Sequence, residues 1–152
     1  MHATLDIPAF EIKRAGWRDV WAIWRLARLA LGCDACDPVT LFMMSLSPRA
    51  CWLKAAADET LVGFVAGEKR DHRGHAWIAM LAVHPDYQGR GIGTALLLAA
   101  EHALQAPCLR LTVRLSNARA IALYHRCGYR WIDTYRSYYH DGEDGLLMEK
   151  RM

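Results

Sequence analysis

The spacing of hydrophobic residues changes several times along the chain, and each spacing predicts an element of secondary structure. Apolar residues recur at helical spacing from Val20 to Leu31, and Gly32 predicts the end of this first helix. Val39 to Leu46 predicts a second, shorter helix. Phe10 to Arg14 predicts a strand ahead of both helices. The N-terminal third of the chain is therefore expected to read strand, helix, helix.

Three apolar runs predict strands in the middle of the chain. CWLKAAA and LVGFVAGEKR flank the turn Asp58-Glu59-Thr60, and HAWIAMLAV follows a turn at DHRG. HAWIAMLAV is apolar nearly throughout, which is typical of a strand buried on both faces at the centre of a sheet. A long apolar helix then begins after the turn Gln88-Gly89-Arg90-Gly91-Ile92-Gly93.

The C-terminal part predicts one more strand, one more helix and a hairpin. LRLTVRL is the strand, and NARAIALYHRCG is the helix, with Asn117 near its start and Gly128 past its end. RWIDTYRSYY and GLLMEKRM predict two paired strands around the turn Asp141-Gly142. The order β-α-α-β-β-β-α-β-α-β-β predicts an α+β protein with a mixed sheet. With 152 residues, the chain is expected to form a single domain over residues 1–152.

Composition and charge narrow the class of protein. A net charge of +3 is too small to indicate a nucleic-acid partner, although it is compatible with an anionic small ligand. The chain has no apolar run of about 18 residues and no basic start followed by an apolar stretch, so a cytoplasmic protein without a membrane partner is expected. Cys33 and Cys36 form a C-x-x-C that lacks a second ligand pair, so free thiols and no metal are expected. A monomer and a homodimer both remain open.

The glycine-rich turn before the long helix predicts an anion site. A helix N-terminus has unpaired N–H groups and a partial positive charge, which attract phosphate. Gly91 and Gly93 allow close approach of a ligand to the backbone, and Gln88 and Arg90 offer side-chain donors. The spacing matches neither the phosphate loop of nucleotide hydrolases nor the dinucleotide-binding motif. A pyrophosphate site is predicted, and a turn chosen only for tight packing is the alternative.

Gln88-Gly89-Arg90-Gly91-Ile92-Gly93 resembles the Q/R-x-x-G-x-G/A signature of the GNAT acetyltransferase superfamily, in which this turn binds the pyrophosphate of acetyl-CoA. LAVHPDYQ before it and VRLSNARAIALYHRCGY after it are similar to the flanking family motifs. The resemblance implies acetyl-CoA as cosubstrate and a GNAT fold, a central mixed, mostly antiparallel sheet flanked by about four helices. It implies cofactor binding by Leu81, Ala82, Val83, Gln88, Gly89, Arg90, Gly91, Ile92, Gly93, Thr94 and Asn117.

The C-terminal RSYYHDGEDGLLMEKR resembles the closing hairpin of the branch that acetylates protein N-termini, which includes the ribosomal-protein alanine acetyltransferases. The resemblance implies that Tyr138 and Tyr139 bind the first residues of a protein or peptide substrate. Because neighbours on a strand point to opposite faces, only one of the two is expected to contact the peptide. Acetylation of a small-molecule amine and a non-catalytic acyl-CoA-binding module are the alternatives.

The implied chemistry is direct attack of a neutral amine on the thioester. An α-amino group has a pKa of about 7.7–8.0, against about 10.4 for lysine, so it needs less help from a base. A backbone N–H near Leu81 to Val83, where the family opens a bulge, is expected to polarise the thioester carbonyl. Tyr124 is the implied acid that protonates the leaving thiolate.

The general base stays open. Thr112 stands where the ribosomal-protein alanine acetyltransferases have a glutamate, and a threonine cannot act as a base at neutral pH. Asp34, Asp37 and His84 are candidates, as is a water relay, although Asp37 is expected to cap a helix. Arg114 matches an arginine that orders the site in the N-terminal-amine enzymes, with an exposed surface charge as the alternative.

Overall fold

The structure is a computed structural model that describes residues 9–152. The protein consists of a seven-stranded sheet with helices on both faces. The strands are β1 (Glu11–Arg14), β2 (Ala50–Ala57), β3 (Thr60–Lys69), β4 (Ala76–Val83), β5 (Cys108–Arg114), β6 (Arg130–Tyr135) and β7 (Gly145–Arg151). The α-helices are α1 (Val20–Leu31), α2 (Pro38–Ser45), α3 (Ile92–Leu104) and α4 (Ala118–Arg126), and short 3-10 turns lie at Trp17–Asp19, Gly32–Asp34 and Pro85–Tyr87. The predicted α+β class and the predicted order of elements are confirmed.

The strands lie in the order β1-β2-β3-β4-β5-β7-β6, so β4 is the central strand, as its apolar sequence predicts. All neighbouring strands are antiparallel except β4 and β5, which run parallel. Within residues 9–152, β4 and β5 pair only at Ala76 with Leu109 and at Trp77 with Arg110. The later part of β4 therefore has no strand partner on the side of β5.

Two hydrophobic cores hold the helices to the sheet. On one face, Leu96 and Leu97 of α3 are fully buried in a cluster with Leu109 of β5 and with the inner side of α4. On the other face, Ile23 of α1 and Leu41 of α2 are fully buried against β2 to β4. The sheet is thus covered on both sides, as expected for a mixed sheet of this size.

Side chains at the helix ends match the sequence expectations. Asp37 caps α2, since its Oδ1 accepts a hydrogen bond from the Thr40 N–H at 2.9 Å. Asn117 caps α4 by accepting from the Ala120 N–H at 3.1 Å. Gly32 follows α1 with a φ of +59°, a conformation that favours glycine.

The closing hairpin differs from its prediction. β6 and β7 pair in antiparallel fashion, but β6 ends at Tyr135 and β7 begins at Gly145. Tyr138 and Tyr139 therefore lie in a loop, residues 136–144, and not on a strand as predicted. The argument that neighbouring side chains point to opposite faces does not apply to them.

Some features are absent from residues 9–152. No helix in this range is long and apolar enough to cross a membrane. This part of the chain also contains no group of three His, Cys, Asp or Glu side chains that could hold a metal ion. Cys33 and Cys36 are free thiols.

Candidate active site

A cavity of about 410 Å³ lies between the end of β4, the start of α3 and the inner side of α4. Every residue predicted to bind the cofactor lines it except Arg90, and Tyr124 lines it too. Sequence reasoning missed the other lining residues, namely Ala30, Leu31, Tyr87, Arg119, Ala120, Leu123 and Arg126. The sequence motifs on β4, α3 and α4 therefore converge on one cavity.

The turn before α3 exposes backbone donors to this cavity. Gly89 and Gly91 have φ values of +77° and +83°, which L side chains rarely adopt. The first hydrogen bond within α3 runs from the Ala95 N–H to the Gly91 carbonyl at 3.0 Å. The N–H groups of residues 92–94 come before it and have no backbone partner among the described residues. They form the type of site that binds phosphate.

The third glycine of the turn has a different physical role. A Cβ at Gly93 would lie 3.1 Å from Leu123 Cδ1, so glycine lets α3 and α4 pack closely here. A Cβ at Gly91 would meet no atom within 4 Å. Gly91 is therefore required by its backbone conformation and Gly93 by close packing.

The side chain of Gln88 is engaged within the protein, and that of Arg90 lies on an aromatic ring. Gln88 Nε2 donates to the Val83 carbonyl at 3.1 Å, and its Oε1 accepts from Arg119 Nη1 at 2.9 Å. The Arg90 guanidinium lies over the Tyr87 ring, 5.2 Å from its centroid. Gln88 thus ties the glycine turn to the end of β4.

Positive charge at the cavity comes instead from α4. Arg119 and Arg126 both line the cavity. They are seven residues apart, which places them on the same face of the helix. This spacing, next to the capping residue Asn117, is the sequence signal that could have identified them as ligand-facing.

The unpaired edge of β4 supplies further donors. The His84 N–H donates to the carbonyl of Val62 in β3 at 2.8 Å, and Ala82 pairs with Phe64 of the same strand. Because the hydrogen-bonding direction alternates along a strand, the N–H groups of Leu81 and Val83 point away from β3, toward the gap beside β5. Both residues line the cavity. These two N–H groups are in a position to donate to a carbonyl oxygen there.

The bulge lies earlier in β4 than predicted. The register between β3 and β4 shifts where Ala66 pairs with Met80 and Gly67 pairs with Ile78, which leaves Ala79 as the extra residue. The expected position, Leu81 to Val83, is wrong. Gly67 explains the shift, because a Cβ there would lie 3.0 Å from the Trp77 carbonyl oxygen, and glycine permits the close approach.

Tyr124 is the ionisable side chain of interest in the cavity. It is 8% exposed, and its hydroxyl has no hydrogen-bond partner among the described side chains and backbone groups. Burial, followed by the negative charge that Tyr139 can carry, raises the pKa of Tyr124 well above its ordinary value. The phenol is therefore fully protonated at neutral pH and can donate a proton.

Arg114 joins three parts of the chain beside the cavity. Its Nη2 donates to Asp34 Oδ1 at 2.7 Å and its Nε to the other oxygen of the same carboxylate. Its Nη1 donates to Asp141 Oδ2 at 2.8 Å and to Glu143 Oε1 at 2.9 Å. The side chain is 16% exposed, so it is a network centre and not a free surface charge. It connects the turn after α1 with the loop 136–144.

The tyrosines of this loop pack together against Arg114. The Tyr138 and Tyr139 rings meet edge to face with centroids 5.0 Å apart, and Tyr138 stacks on Tyr135 at 5.6 Å. Arg114 Cζ lies 4.2 Å from the Tyr139 ring centroid. Burial, followed by the charge of Asp34, raises the pKa of Tyr139 to about 12. Tyr138 remains 54% exposed and offers an aromatic face to an approaching molecule.

The candidate bases lie outside the cavity lining. Both oxygens of Asp34 accept hydrogen bonds from Arg114, so this carboxylate is engaged in an ion pair. Asp37 caps α2, and its hydrogen bonds from Thr40 lower its pKa. His84 Nδ1 accepts from the Asp86 N–H at 3.1 Å. In the described part of the chain, neither a carboxylate nor a histidine lines the cavity.

Comparison with known proteins identifies the class to which this fold and cavity belong. The acetyltransferase (GNAT) family model matches residues 17–129, and the chain belongs to this family. Enzymes of the family use acetyl-CoA as cosubstrate, as the resemblance of the glycine turn implies. The predicted family, fold and cosubstrate are therefore confirmed.

Individual relatives specify the class further. An uncharacterized N-acetyltransferase of Methanocaldococcus jannaschii is 35% identical over 144 residues, covering 92% of this chain and 90% of the relative. An N-alpha-acetyltransferase of Sulfurisphaera tokodaii is 33% identical over 156 residues, covering 91% of each. The ribosomal-protein-S18-alanine N-acetyltransferase from Escherichia coli superposes with a TM-score of 0.84 at 28% identity, covering 94% of each chain. The protein is an N-acetyltransferase.

Proposed function

We propose that this N-acetyltransferase transfers the acetyl group of acetyl-CoA to the N-terminal α-amine of a protein or peptide. The observation that carries the proposal is the aromatic loop 136–144, which Arg114 fastens beside the turn after α1. The tyrosines of this loop present a wall on which an extended peptide can lie. The similarity to a relative named as an N-alpha-acetyltransferase supports the same acceptor.

Acetyl-CoA would bind with its pyrophosphate at the start of α3. The free N–H groups of residues 92–94 and the helix dipole favour an anion there. Arg119 and Arg126 add positive charge on the neighbouring helix. This binding mode needs neither a metal ion nor a free side chain of Gln88.

The transfer step follows from the groups around the gap beside β4. The neutral amine attacks the thioester carbonyl carbon, and the oxygen, now negative, accepts hydrogen bonds from the Leu81 or Val83 N–H. The C–S bond then breaks, and the CoA thiolate takes the proton of the Tyr124 phenol. The amide nitrogen loses its extra proton to water, and the phenolate regains one from solvent. The acetyl group passes directly from sulfur to nitrogen, and no intermediate bonded to the protein is required.

Among residues 9–152 no carboxylate lines the cavity, and this fits the acceptor class. An α-amine, with a pKa of about 7.7–8.0, is neutral in about a tenth of molecules at neutral pH, and water can remove the proton that remains after attack. A lysine side chain is neutral far less often, because its pKa is about 10.4. The structure therefore suits an α-amine better than a lysine.

A small-molecule amine is the second candidate acceptor. Three carboxylates, Asp34, Asp141 and Glu143, surround the single guanidinium of Arg114, so the surroundings of the loop keep a net negative charge. This charge attracts a cationic peptide N-terminus as well as a polyamine, and the similarity to a relative named as an N-alpha-acetyltransferase is what favours the peptide. A peptide acceptor also fits the cytoplasmic location that the sequence predicts.

The test is thiol release from acetyl-CoA with a panel of short peptides. Each peptide is offered with a free N-terminus and in a matched form that is blocked at the N-terminus and carries a free lysine. We expect activity with the free N-termini and loss of activity on blocking. Activity that survives blocking, or activity with small amines in place of every peptide, would overturn the proposed acceptor.

A further inference from the structure

A buried carboxylate joins α3 to the end of the sheet. Glu101 of α3 is 4% exposed, and its Oε2 accepts a hydrogen bond from Lys150 Nζ at 2.8 Å. Its Oε1 accepts from the Tyr129 hydroxyl at 2.9 Å, and Tyr129 is 1% exposed. A charge at this depth is costly unless it is paired and hydrogen-bonded. Because both oxygens are satisfied, Tyr129 is held in one orientation.

Tyr129 contacts Tyr124 through both its backbone and its ring. The Tyr129 N–H donates to the Tyr124 carbonyl at 3.0 Å, just past the end of α4. The two rings meet edge to face, with centroids 6.0 Å apart and an interplanar angle of 61°. Edge-to-face aromatic pairs with centroids about 4.5–7 Å apart are favourable. Tyr129 therefore restrains the position of the Tyr124 ring.

We propose that Tyr129 is a positioning residue for acetyl transfer: held by Glu101, it packs against Tyr124 and keeps the Tyr124 hydroxyl aimed into the cavity. This inference rests on the proposed role of Tyr124 as the acid that protonates the CoA thiolate. Tyr129 does not line the cavity, so it acts through Tyr124. Proton transfer needs heavy atoms within about 2.6–3.2 Å, so a small rotation of the Tyr124 ring lowers the rate.

The position of Glu101 on α3 also links the contact between Tyr129 and Tyr124 to the glycine turn. The same helix begins at the glycine turn that holds the pyrophosphate and carries Glu101 near its end. A helix is a rigid element, so the glycine turn at its start stays at a fixed distance from Glu101, which holds Tyr129. Loss of the Tyr129 contact should therefore lower kcat and leave the binding of acetyl-CoA unchanged.

The experiment is a double-mutant cycle. Tyr129→Phe keeps the ring and removes the hydroxyl that Glu101 holds, and it is made both in the natural chain and in Tyr124→Phe. kcat and the KM for acetyl-CoA are measured with an active acceptor, at a temperature where circular dichroism shows every variant folded. We expect kcat to fall about tenfold in the natural chain, with less than a twofold further change in Tyr124→Phe and an unchanged KM.

The control breaks an ion pair that involves neither Glu101 nor Tyr129. Lys54→Met removes the pair between Lys54 Nζ and Asp19 Oδ1, which lie 2.8 Å apart, and leaves the Tyr129–Glu101 hydrogen bond in place. We expect it to lower the Tm and to leave kcat unchanged. If Tyr129→Phe fails to fold, Glu101→Met frees the Tyr129 hydroxyl from the opposite side, and the same cycle is run with that variant.

Three results would overturn the inference, and they are distinguishable. An unchanged kcat in Tyr129→Phe, alongside a large loss in Tyr124→Phe, removes the positioning role and keeps Tyr124 as the acid. Equal losses in both backgrounds show that Tyr129 does not act through Tyr124. Full activity of Tyr124→Phe removes the proposed acid itself, and the positioning role falls with it.

Discussion

Substitution of Gly91 by alanine tests the glycine turn, because stability and ligand binding should both respond. Gly91 has a φ of +83°, and an alanine held in this left-handed conformation costs about 1–2 kcal/mol. For a chain of about 150 residues, each kcal/mol corresponds to about 2–4 °C in Tm. The added methyl group meets no protein atom within 4 Å, so no steric clash contributes to this loss.

The same methyl group projects from a residue that lines the cavity, beside the N–H groups of residues 92–94. Displacing a phosphate from one such donor costs about 1.5–3 kcal/mol, which is about a tenfold or larger rise in Kd. Gly91→Ala is therefore expected to lower the Tm and to weaken acetyl-CoA binding. Differential scanning calorimetry and titration calorimetry measure the two effects separately.

Gly16→Ala is the matched control. A Cβ at Gly16 also meets nothing within 4 Å, but the φ of −146° is extended and suits any residue. Its Tm and acetyl-CoA affinity should remain those of the natural chain. If Gly91→Ala leaves the Tm unchanged, the positive φ is not a requirement of this turn. If the Tm falls while the Kd stays constant, the turn is not where the pyrophosphate binds.

Three further predictions concern the loop 136–144. In Arg114→Lys, the lysine cannot donate to all three carboxylates as the guanidinium does. The KM for peptide should therefore rise in initial-rate assays, while the KM for acetyl-CoA stays constant. Equal rises in both KM values would contradict the role of Arg114 as a link between the loop and the turn after α1. Hydrogen bonds within the loop and from Arg114 hold the pKa of Asp141, and those from Ser116 and Arg114 hold the pKa of Glu143, below the ordinary values of 3.8 and 4.5. The stabilisation that these two carboxylates provide is complete above pH values of 3.8 and 4.5 and is lost as the pH falls below them. Between pH 6 and pH 3, the Tm of the variant with Asp141→Asn and Glu143→Gln should therefore decline less than the Tm of the natural chain. A Cβ at Gly145 would lie 2.8 Å from Thr112 Cγ2 and 3.1 Å from Tyr138 Cδ1, so Gly145→Ala should displace both side chains and raise the KM for peptide alone. An unchanged KM for peptide would exclude Tyr138 from the acceptor site.

The order of elements could be predicted because it depends on local patterns. Hydrophobic spacing defined the helices, and Gly32, Asp37 and Asn117 marked helix ends through caps that involve only neighbouring residues. The parallel contact between β4 and β5 and its short length have no local signal. They depend on how α3 crosses the sheet and on the close approach at Gly67, which displaced the bulge from its predicted position.

The candidate site was predictable on the cofactor side and less so on the acceptor side. The glycine turn and the helix after Asn117 are contiguous motifs, so their residues were identified together. The loop 136–144 takes its form from Arg114, which binds Asp34 across 80 positions of the chain and Asp141 across 27. No pattern within the hairpin shows this contact, and the Tyr138–Tyr139 pair was therefore placed on a strand.

The short pairing between β4 and β5 has a consequence for hydrogen exchange. Amides in the middle strand of a sheet are normally among the slowest to exchange, because they open only when the whole domain unfolds. Along β4 the rate should instead alternate: the Ala82 amide faces β3 and is protected, whereas those of Leu81 and Val83 face the gap and exchange as fast as amides at a sheet edge. A bound molecule that accepts hydrogen bonds from these two groups would slow both. Exchange at two central residues thus reports occupancy of the site without any turnover.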